Sequence, residues 1–301
     1  MRLGAVRGVL SMSLAAWRSV GTALLIVPSI AAAADLPSPA PAPPATVPVA
    51  FTPAAPDWIV TVGIEGRIGP AWAGASDSKL GVTGFPLFSI RKAGTPPDFF
   101  GPRDSFGFPV VDLGQLKLGP AVRLIWKREA SSYTELNGLG DVNYAIQAGG
   151  YADFWPVPWL RLHGEVRQGF GGETGVTGDV FLDAVVPIEQ WTLSAGPRVT
   201  MQTAKAVSPY FSITPAQSAG SVVSGLPALP VYNAGGGLYS YGAGTKALYT
   251  FNPQWSTYVF VEYERLIGSA ANSPLVIQRG SPNQFTYGLG ATYSFTMHPL
   301  W

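Results

Sequence analysis

Residues 285–295 read Phe-Thr-Tyr-Gly-Leu-Gly-Ala-Thr-Tyr-Ser-Phe, and this stretch decides the predicted fold class. Its odd-numbered positions are all aromatic or apolar, and its even-numbered positions are all small or polar. Because successive side chains of a β-strand point to opposite faces, the segment predicts a strand with one apolar and one polar face. Its length is close to the roughly 9–11 residues that a tilted strand needs to cross a bilayer. We interpret it as the closing strand of a membrane β-barrel, with an edge strand of a soluble sandwich as the alternative.

The composition favours a membrane barrel over a soluble domain. Charged residues make up 12 % of the 301-residue chain, against roughly 25 % in ordinary globular domains. Mean hydropathy is only +0.21, and after the amino-terminus no apolar run is long enough for a helical span. Low charge without long apolar runs is typical of a barrel, in which half of each strand faces lipid and half faces the interior. The absence of cysteine excludes disulfides and thiolate catalysis.

Residues 1–34 predict a secretory signal peptide. An apolar run from Val20 to Ile30 follows basic residues and precedes four consecutive alanines. The run is short for a membrane span, and Pro28 interrupts it. We expect cleavage near Ala34, which for a barrel places the mature protein in the outer membrane of a Gram-negative bacterium.

Residues 35–56 are rich in proline and alanine and predict a semi-rigid linker without a core of its own. The barrel domain is then expected over residues 57–301. Without its first 34 residues the chain keeps 16 basic and 18 acidic side chains, a formal charge of −2. This balance leaves no basic excess for nucleic-acid binding.

The alternation of the closing segment recurs along the whole domain. It is clear or fair in segments 58–68, 116–127, 142–154, 160–167, 177–186, 191–202, 239–251 and 255–266. Two weaker candidates, Val82–Arg91 and Phe106–Leu113, contain Pro86 and Pro109, which each remove a hydrogen-bond donor from the sheet. Because bacterial barrels have an even number of strands, we expect an all-β, antiparallel up-and-down barrel of about 10 strands, with 12 as the alternative.

The connections alternate between short turns and long polar loops. Short turns are expected near 155–158, 187–190 and 251–254, and long loops near 128–141, 169–176, 203–234 and 267–284. Short connections at one end and long ones at the other are the layout of an outer-membrane barrel. No segment shows a sustained helical period.

Charged side chains on the polar faces of the predicted strands are the candidates for lining the lumen. They are Glu65, Arg67, Arg123, Arg161, His163, Glu165, Arg167, Arg198, Lys246, Glu262 and Glu264, with Lys117 and Asp183 on the same faces. In one interpretation they neutralise one another across a small barrel with little free space. In the other they line a pore or a small-molecule site.

Catalysis and metal binding find little support. His163 is the one histidine placed for catalysis, and a hydrolase would need a serine and an acid arranged around it. Histidines at metal-ligand spacing are missing, so we expect no metal and no cofactor. Loop acids such as Asp98 and Asp104 are scattered, and we expect them to be solvated rather than to bind calcium.

Three stretches in the second half resemble the MipA/OmpV family of outer-membrane proteins. They are Tyr-Phe-Ser-Ile-Thr-Pro-Ala-Gln-Ser at 210–218, Tyr-Glu-Arg-Leu-Ile-Gly-Ser-Ala-Ala-Asn-Ser-Pro-Leu-Val at 263–276, and Gly-Leu-Gly-Ala-Thr-Tyr-Ser-Phe at 288–295. The chain departs from the family pattern at Ser212, in the Pro/Ala-rich linker and in the tail after Phe295.

The resemblance implies a non-enzymatic barrel in contact with outer-membrane lipid, with no catalytic residues to carry over. It also implies two alternative roles. One is a scaffold that ties a murein-degrading lytic transglycosylase to a bifunctional murein synthase. The other is a porin-like channel for small solutes.

Overall fold

The computed structural model describes residues 58–298, and for residues 81–87 it describes the backbone alone. The predicted signal peptide with its cleavage site near Ala34, the linker and the last three residues lie outside the described part. The strands are β1 Trp58–Pro70, β2 Ser78–Lys92, β3 Phe106–Gly107, β4 Val111–Asp112, β5 Leu116–Ile125, β6 Ala145–Val157, β7 Leu160–Gly171, β8 Val176–Ile188, β9 Trp191–Gln202, β10 Gly237–Thr250, β11 Trp255–Leu266 and β12 Asn283–Met297. The helices are α1 Ala204–Phe211, α2 Pro215–Val223, α3 Gly268–Ala271 and α4 Pro274–Arg279.

The long strands form an antiparallel up-and-down barrel, which confirms the predicted fold class. Strands β5 to β12 pair in sequence order, β12 pairs with β1, and β1 pairs with β2. At the two ends of this order lie β2 and β3, whose Phe88 and Phe106 rings approach to 5.6 Å between centroids. Ten described strands are long, and β3 and β4 are two-residue segments on either side of Pro109. Proline has no backbone N–H to donate to the sheet, so the strand is interrupted there.

The closing strand β12 has the two faces that its sequence predicts. Phe285, Tyr287 and Leu289 are exposed on the outside of the barrel, where lipid would cover them. On the inside, Gly288 and Gly290 lie opposite the inward aromatic rings of Phe260 and Tyr258 on β11. A β-carbon on Gly288 would fall 2.0 Å from the Phe260 ring. The glycines therefore make room for the two rings inside the barrel.

The long loops, which the sequence predicts as polar connections, pack together into a cap at one end of the barrel. Two clusters of buried apolar side chains hold this cap. The first contains Trp72, Ala75, Ala130, Leu136, Leu139, Ile213, Leu229 and Leu275, and the second Val207, Phe211, Ala234, Leu266, Ala270 and Val276. The four helices belong to it, and they have four to nine residues each. Such lengths are below the 11–18-residue window in which a helical period becomes visible.

The sequence contains capping residues for two of these helices, although it shows no helical period there. Thr214 and Gln217 form a reciprocal capping box around Pro215 at the start of α2. Ser273 accepts a hydrogen bond from the backbone of Leu275 at the start of α4. None of the helices within residues 58–298 has the length and apolar character needed to cross a bilayer.

Between β2 and β3 the chain runs inside the barrel. We call residues 95–105 the inserted segment. It leaves the short-turn end after Lys92 and reaches β3, where Phe106 pairs with Val122 of β5. Side chains of the inserted segment contact inward residues of several strands, as described below.

Replacing Gly288 by alanine tests the packing of β11 against β12. The new methyl group meets Phe260, so Gly288→Ala should lower the free energy of unfolding by about 1–3 kcal/mol. Gly66 on β1 has no neighbouring atom within 4 Å of an added β-carbon, so Gly66→Ala is the matched control. Denaturant unfolding in lipid vesicles measures both variants. Equal stabilities for the two would contradict this packing.

Candidate functional site

The inward face of β7 carries four charged or titratable side chains in succession. Arg161, His163, Glu165 and Arg167 are each no more than 2 % exposed, whereas their neighbours Leu162 and Val166 face outward. In the register with β8, Arg161 lies beside Asp183 and Glu165 beside Asp179. Arg161 therefore has an acid beside it, whereas Glu165 and Asp179 are two neighbouring anions that need cations from other positions.

Arg161, the residue of this row nearest the short turns, pairs with three carboxylates. Its guanidinium lies 2.6 Å from Asp153, 2.9 Å from Asp104 and 3.5 Å from Asp183. All four side chains are buried or nearly so. Since a buried charge is tolerated only when it is paired, the arginine and its acids depend on one another.

Arg167 and Arg123 neutralise the two carboxylates nearer the cap, Glu165 and Asp179. Arg167 donates to Asp179 at 2.5 Å and is also bonded to Glu165. Arg123 of β5 lies 3.6 Å from Glu165 and 3.7 Å from Asp179. In the loop after β7, Glu173 accepts a hydrogen bond from Gln147. Burial raises the pKa of the Glu173 carboxyl.

Arg198 of β9 extends the pairing across the barrel. It lies 2.6 Å from Asp183 and 3.8 Å from Glu262 of β11. Its guanidinium also covers the ring of inward-facing Phe181 at 4.8 Å from the centroid. The ion pairs therefore run from β5 and β6 to β11 without a break, and we call this set the interior charge network.

The inserted segment completes the interior charge network. Arg103 lies 3.2 Å from Glu264 and donates to Thr200 at 3.0 Å. Asp104 pairs with Arg161, and Ser105 binds Glu165 through both its backbone N–H at 2.8 Å and its hydroxyl at 2.6 Å. Three consecutive residues of a loop thus bind side chains of β7, β9 and β11. The expectation that Asp104 is solvated is wrong, and Asp98 is bonded to Lys117.

Eight of the eleven candidate residues belong to the interior charge network. They are Arg123, Arg161, His163, Glu165, Arg167, Arg198, Glu262 and Glu264. The other three, Glu65, Arg67 and Lys246, surround Tyr258, whose hydroxyl donates to Glu65 at 2.8 Å. That any of them lines a conducting lumen stays a prediction.

Several partners in the network are absent from the sequence-based candidates. Asp153 and Asp179 occupy polar positions of β6 and β8, so the alternation could have found them. Arg103, Asp104 and Ser105 lie in a loop and carry no periodic signal. Only their contacts inside the barrel identify them.

His163 is enclosed by carboxylates and aromatic rings. Its Nδ1 lies 2.7 Å from Asp153, and its Nε2 lies 2.9 Å from Glu165. The rings of Tyr151 and Phe181 stack on its two faces. Ser105 donates to Glu165 rather than to the histidine. In a Ser-His-acid hydrolase the serine hydroxyl bonds the histidine directly, so this arrangement differs from that of a catalytic triad.

Free space lies at the short-turn end rather than among the ion pairs. Beside Asp104 and His163 there is a void of about 30 Å³, on the scale of a single water. Towards the short turns there is a cavity of about 880 Å³. Its lining includes the inserted segment, Trp155, Lys246 and residues next to the turns, such as Pro158 and Pro187. We call this cavity the short-turn vestibule.

Removing the central arginine tests the network. Arg161→Met leaves Asp104, Asp153 and Asp183 without their shared cation, so the free energy of unfolding should fall by about 3–5 kcal/mol. Lys127→Met breaks an exposed ion pair with Glu129 in a loop and should leave the unfolding midpoint unchanged. Denaturant unfolding measures both. If the two variants behave alike, the buried pairs do not stabilise the barrel.

Solved outer-membrane proteins share similarity with most of the chain. The NanC porin has 8 % identity over 79 % of this chain and 99 % of its own, with a TM-score of 0.35. An outer-membrane channel of Pseudomonas putida F1 has 12 % identity over 80 % and 96 %, with a TM-score of 0.36. OmpT of Vibrio cholerae with loop L8 deleted has 10 % identity over 80 % and 99 %, with a TM-score of 0.34. None of the curated proteins matches this sequence.

A family model described as MltA-interacting protein MipA matches residues 62–295. The matched range runs from β1 to β12 and includes the cap and the interior charge network. It covers well over half of the chain and contains the three stretches that carry the resemblance. The chain therefore belongs to the MltA-interacting protein (MipA) family.

Proposed function

We propose that this protein is a non-enzymatic outer-membrane scaffold for murein-degrading and murein-synthesising enzymes. The observation that supports it best is the inserted segment, which ion pairs fix to β7 and β11 inside the barrel. A barrel filled in this way is a rigid body rather than an open conduit. The family description names an interaction with MltA, and we take a lytic transglycosylase and a bifunctional murein synthase as the partners.

The docking face in this proposal is the short-turn end. Both ends of the described chain meet there, since Trp58 pairs with Met297. In outer-membrane barrels the short turns face the periplasm, where the murein enzymes work. The opposite end is covered by the cap.

The absence of enzymatic activity is also part of the proposal. It is supported by the environment of His163, in which both ring nitrogens contact carboxylates. The histidine is 2 % exposed and lies behind the inserted segment, so a substrate would have to displace several ion pairs to reach it.

Charge changes in the turns test the docking face. Glu189 and Gln254 are exposed residues of two short turns, so the double variant Glu189→Arg, Gln254→Arg should weaken binding several-fold without disturbing the barrel. The matched control is Val223→Arg, at an exposed position on α2 of the cap. Cross-linking in native membranes, followed by recovery of the lytic transglycosylase and the murein synthase, measures the effect. Recovery of neither enzyme with the native protein would contradict the proposal.

A porin-like channel is the second candidate function. The observation that favours it is the short-turn vestibule, a cavity of about 880 Å³ that ends at the inserted segment. Conduction would require this segment to leave the interior charge network, because the void beside His163 is only about 30 Å³.

Planar-bilayer recording separates the two functions. As a scaffold, the native protein should be silent, while Asp104→Asn with Arg103→Gln should show intermittent conductance because both replaced side chains anchor the inserted segment. Lys205→Met on the exposed side of the cap is the control and should remain silent. Steady conductance of the native protein, altered by Arg123→Ala or Arg198→Ala, would favour the channel instead.

A further inference from the structure

The short-turn vestibule has the size and the walls of a small-molecule site. Its volume of about 880 Å³ lies within the range of roughly 300–1,000 Å³ in which ligand pockets fall. Apolar side chains of Phe99, Trp155, Val185 and Leu248 contribute to the walls. The rings of Phe99 and Trp155 meet edge to face at 6.3 Å between centroids. A flat apolar body would find a preformed aromatic surface here.

Most charged groups of the vestibule are already neutralised. Lys117 is bonded to Asp98 and lies 3.6 Å from Asp112. Asp153 lies 2.6 Å from Arg161. Within the lining, Lys117 and Asp98 therefore cancel each other, and the charge of Asp153 is met by Arg161, which lies outside the lining.

Two cations of the vestibule have only backbone carbonyls as hydrogen-bond partners among the residues that the structure describes. Lys246 donates to the carbonyl of Phe100 at 2.8 Å, and Arg91 donates to the carbonyl of Thr95. Within the described part of the chain, neither cation has a carboxylate within 4.0 Å. An ammonium carries three donors, so the carbonyl of Phe100 leaves capacity on Lys246 for a further acceptor.

Lys246 is the more informative of the two because it is buried. It is 5 % exposed and lies 4.1 Å from the centroid of the Tyr258 ring. Asp104 and Glu65 act on it only from a longer distance, and each is paired with an arginine. A buried cation without its own anion is costly, and a bound anion would offset that cost.

We propose that the short-turn vestibule binds a small amphipathic carboxylate. Its carboxylate binds Lys246, its apolar or aromatic body lies against Phe99 and Trp155, and Arg91 adds positive potential in the same cavity. The site faces the short turns, so the ligand enters from the periplasmic side. This inference does not depend on the scaffold proposal, because it needs only the vestibule with the inserted segment in place and no murein enzyme.

A charged and a neutral probe of nearly the same shape test the site. Naphthalene-2-carboxylate and naphthalene-2-carboxamide have the same ring system, and calorimetric titration of the full chain in non-ionic detergent measures both, with protein-free micelles as the blank. We expect the carboxylate to bind about tenfold more tightly than the amide, because only the carboxylate offsets the charge of Lys246.

Variants assign this preference to the vestibule. Lys246→Met should abolish the preference for the carboxylate, and Trp155→Ala should weaken the binding of both probes. Lys205→Met, on the cap at the other end, should bind as the native protein does. If Lys246→Met does not fold, Arg91→Gln at the end of β2 should still reduce the preference about threefold. Equal affinities for the two probes, or an unchanged preference in the foldable variant, would overturn the inference.

Discussion

Charges inside a small barrel must be neutralised by one another, and the rest of this structure follows from that constraint. Four arginines from β5, β7 and β9 face inward with their acids, and their long side chains leave little room among them. The inserted segment fits because it brings both an anion, Asp104, and a cation, Arg103. A neutral loop would have left Glu264 without the cation with which it pairs. Ion pairs therefore hold the inserted segment inside the barrel, in addition to the fit of its shape.

Glycine and aromatic residues pack against each other in the part of the interior next to β11 and β12. Gly288 and Gly290 on β12 leave room for the inward rings of Phe260 and Tyr258, so aromatic side chains share the inner face of β11 with Glu262. Tyr258 then connects the glycine-lined side to Glu65 and Lys246. Two of the three family-like stretches, 210–218 and 263–276, contribute to the cap at the end opposite the short turns, and the third, 288–295, lies in β12.

Much of the barrel could be predicted because its physics is local and periodic. A strand that separates lipid from a polar interior alternates residue by residue, and β7 shows this as Leu160, Arg161, Leu162 and His163 in turn. The candidate site could be predicted only in part. Asp179 shares the alternation of its strand, but Arg103 and Asp104 are placed by contacts with distant residues, which no local pattern encodes. The short helices of the cap are fixed by capping and by tertiary packing rather than by their own periodicity.

The central claim is that the inserted segment occupies the barrel interior in the membrane. The chain contains no cysteine, so a single introduced thiol reports on one position. Ser105 is 5 % exposed, and the reaction of Ser105→Cys with a charged, water-soluble maleimide in outer-membrane vesicles measures how often the segment leaves. We expect a rate at least roughly a hundredfold below that of Gln254→Cys in an exposed turn, equivalent to about 3 kcal/mol of opening free energy. Comparable rates at the two positions would show that the barrel is not plugged.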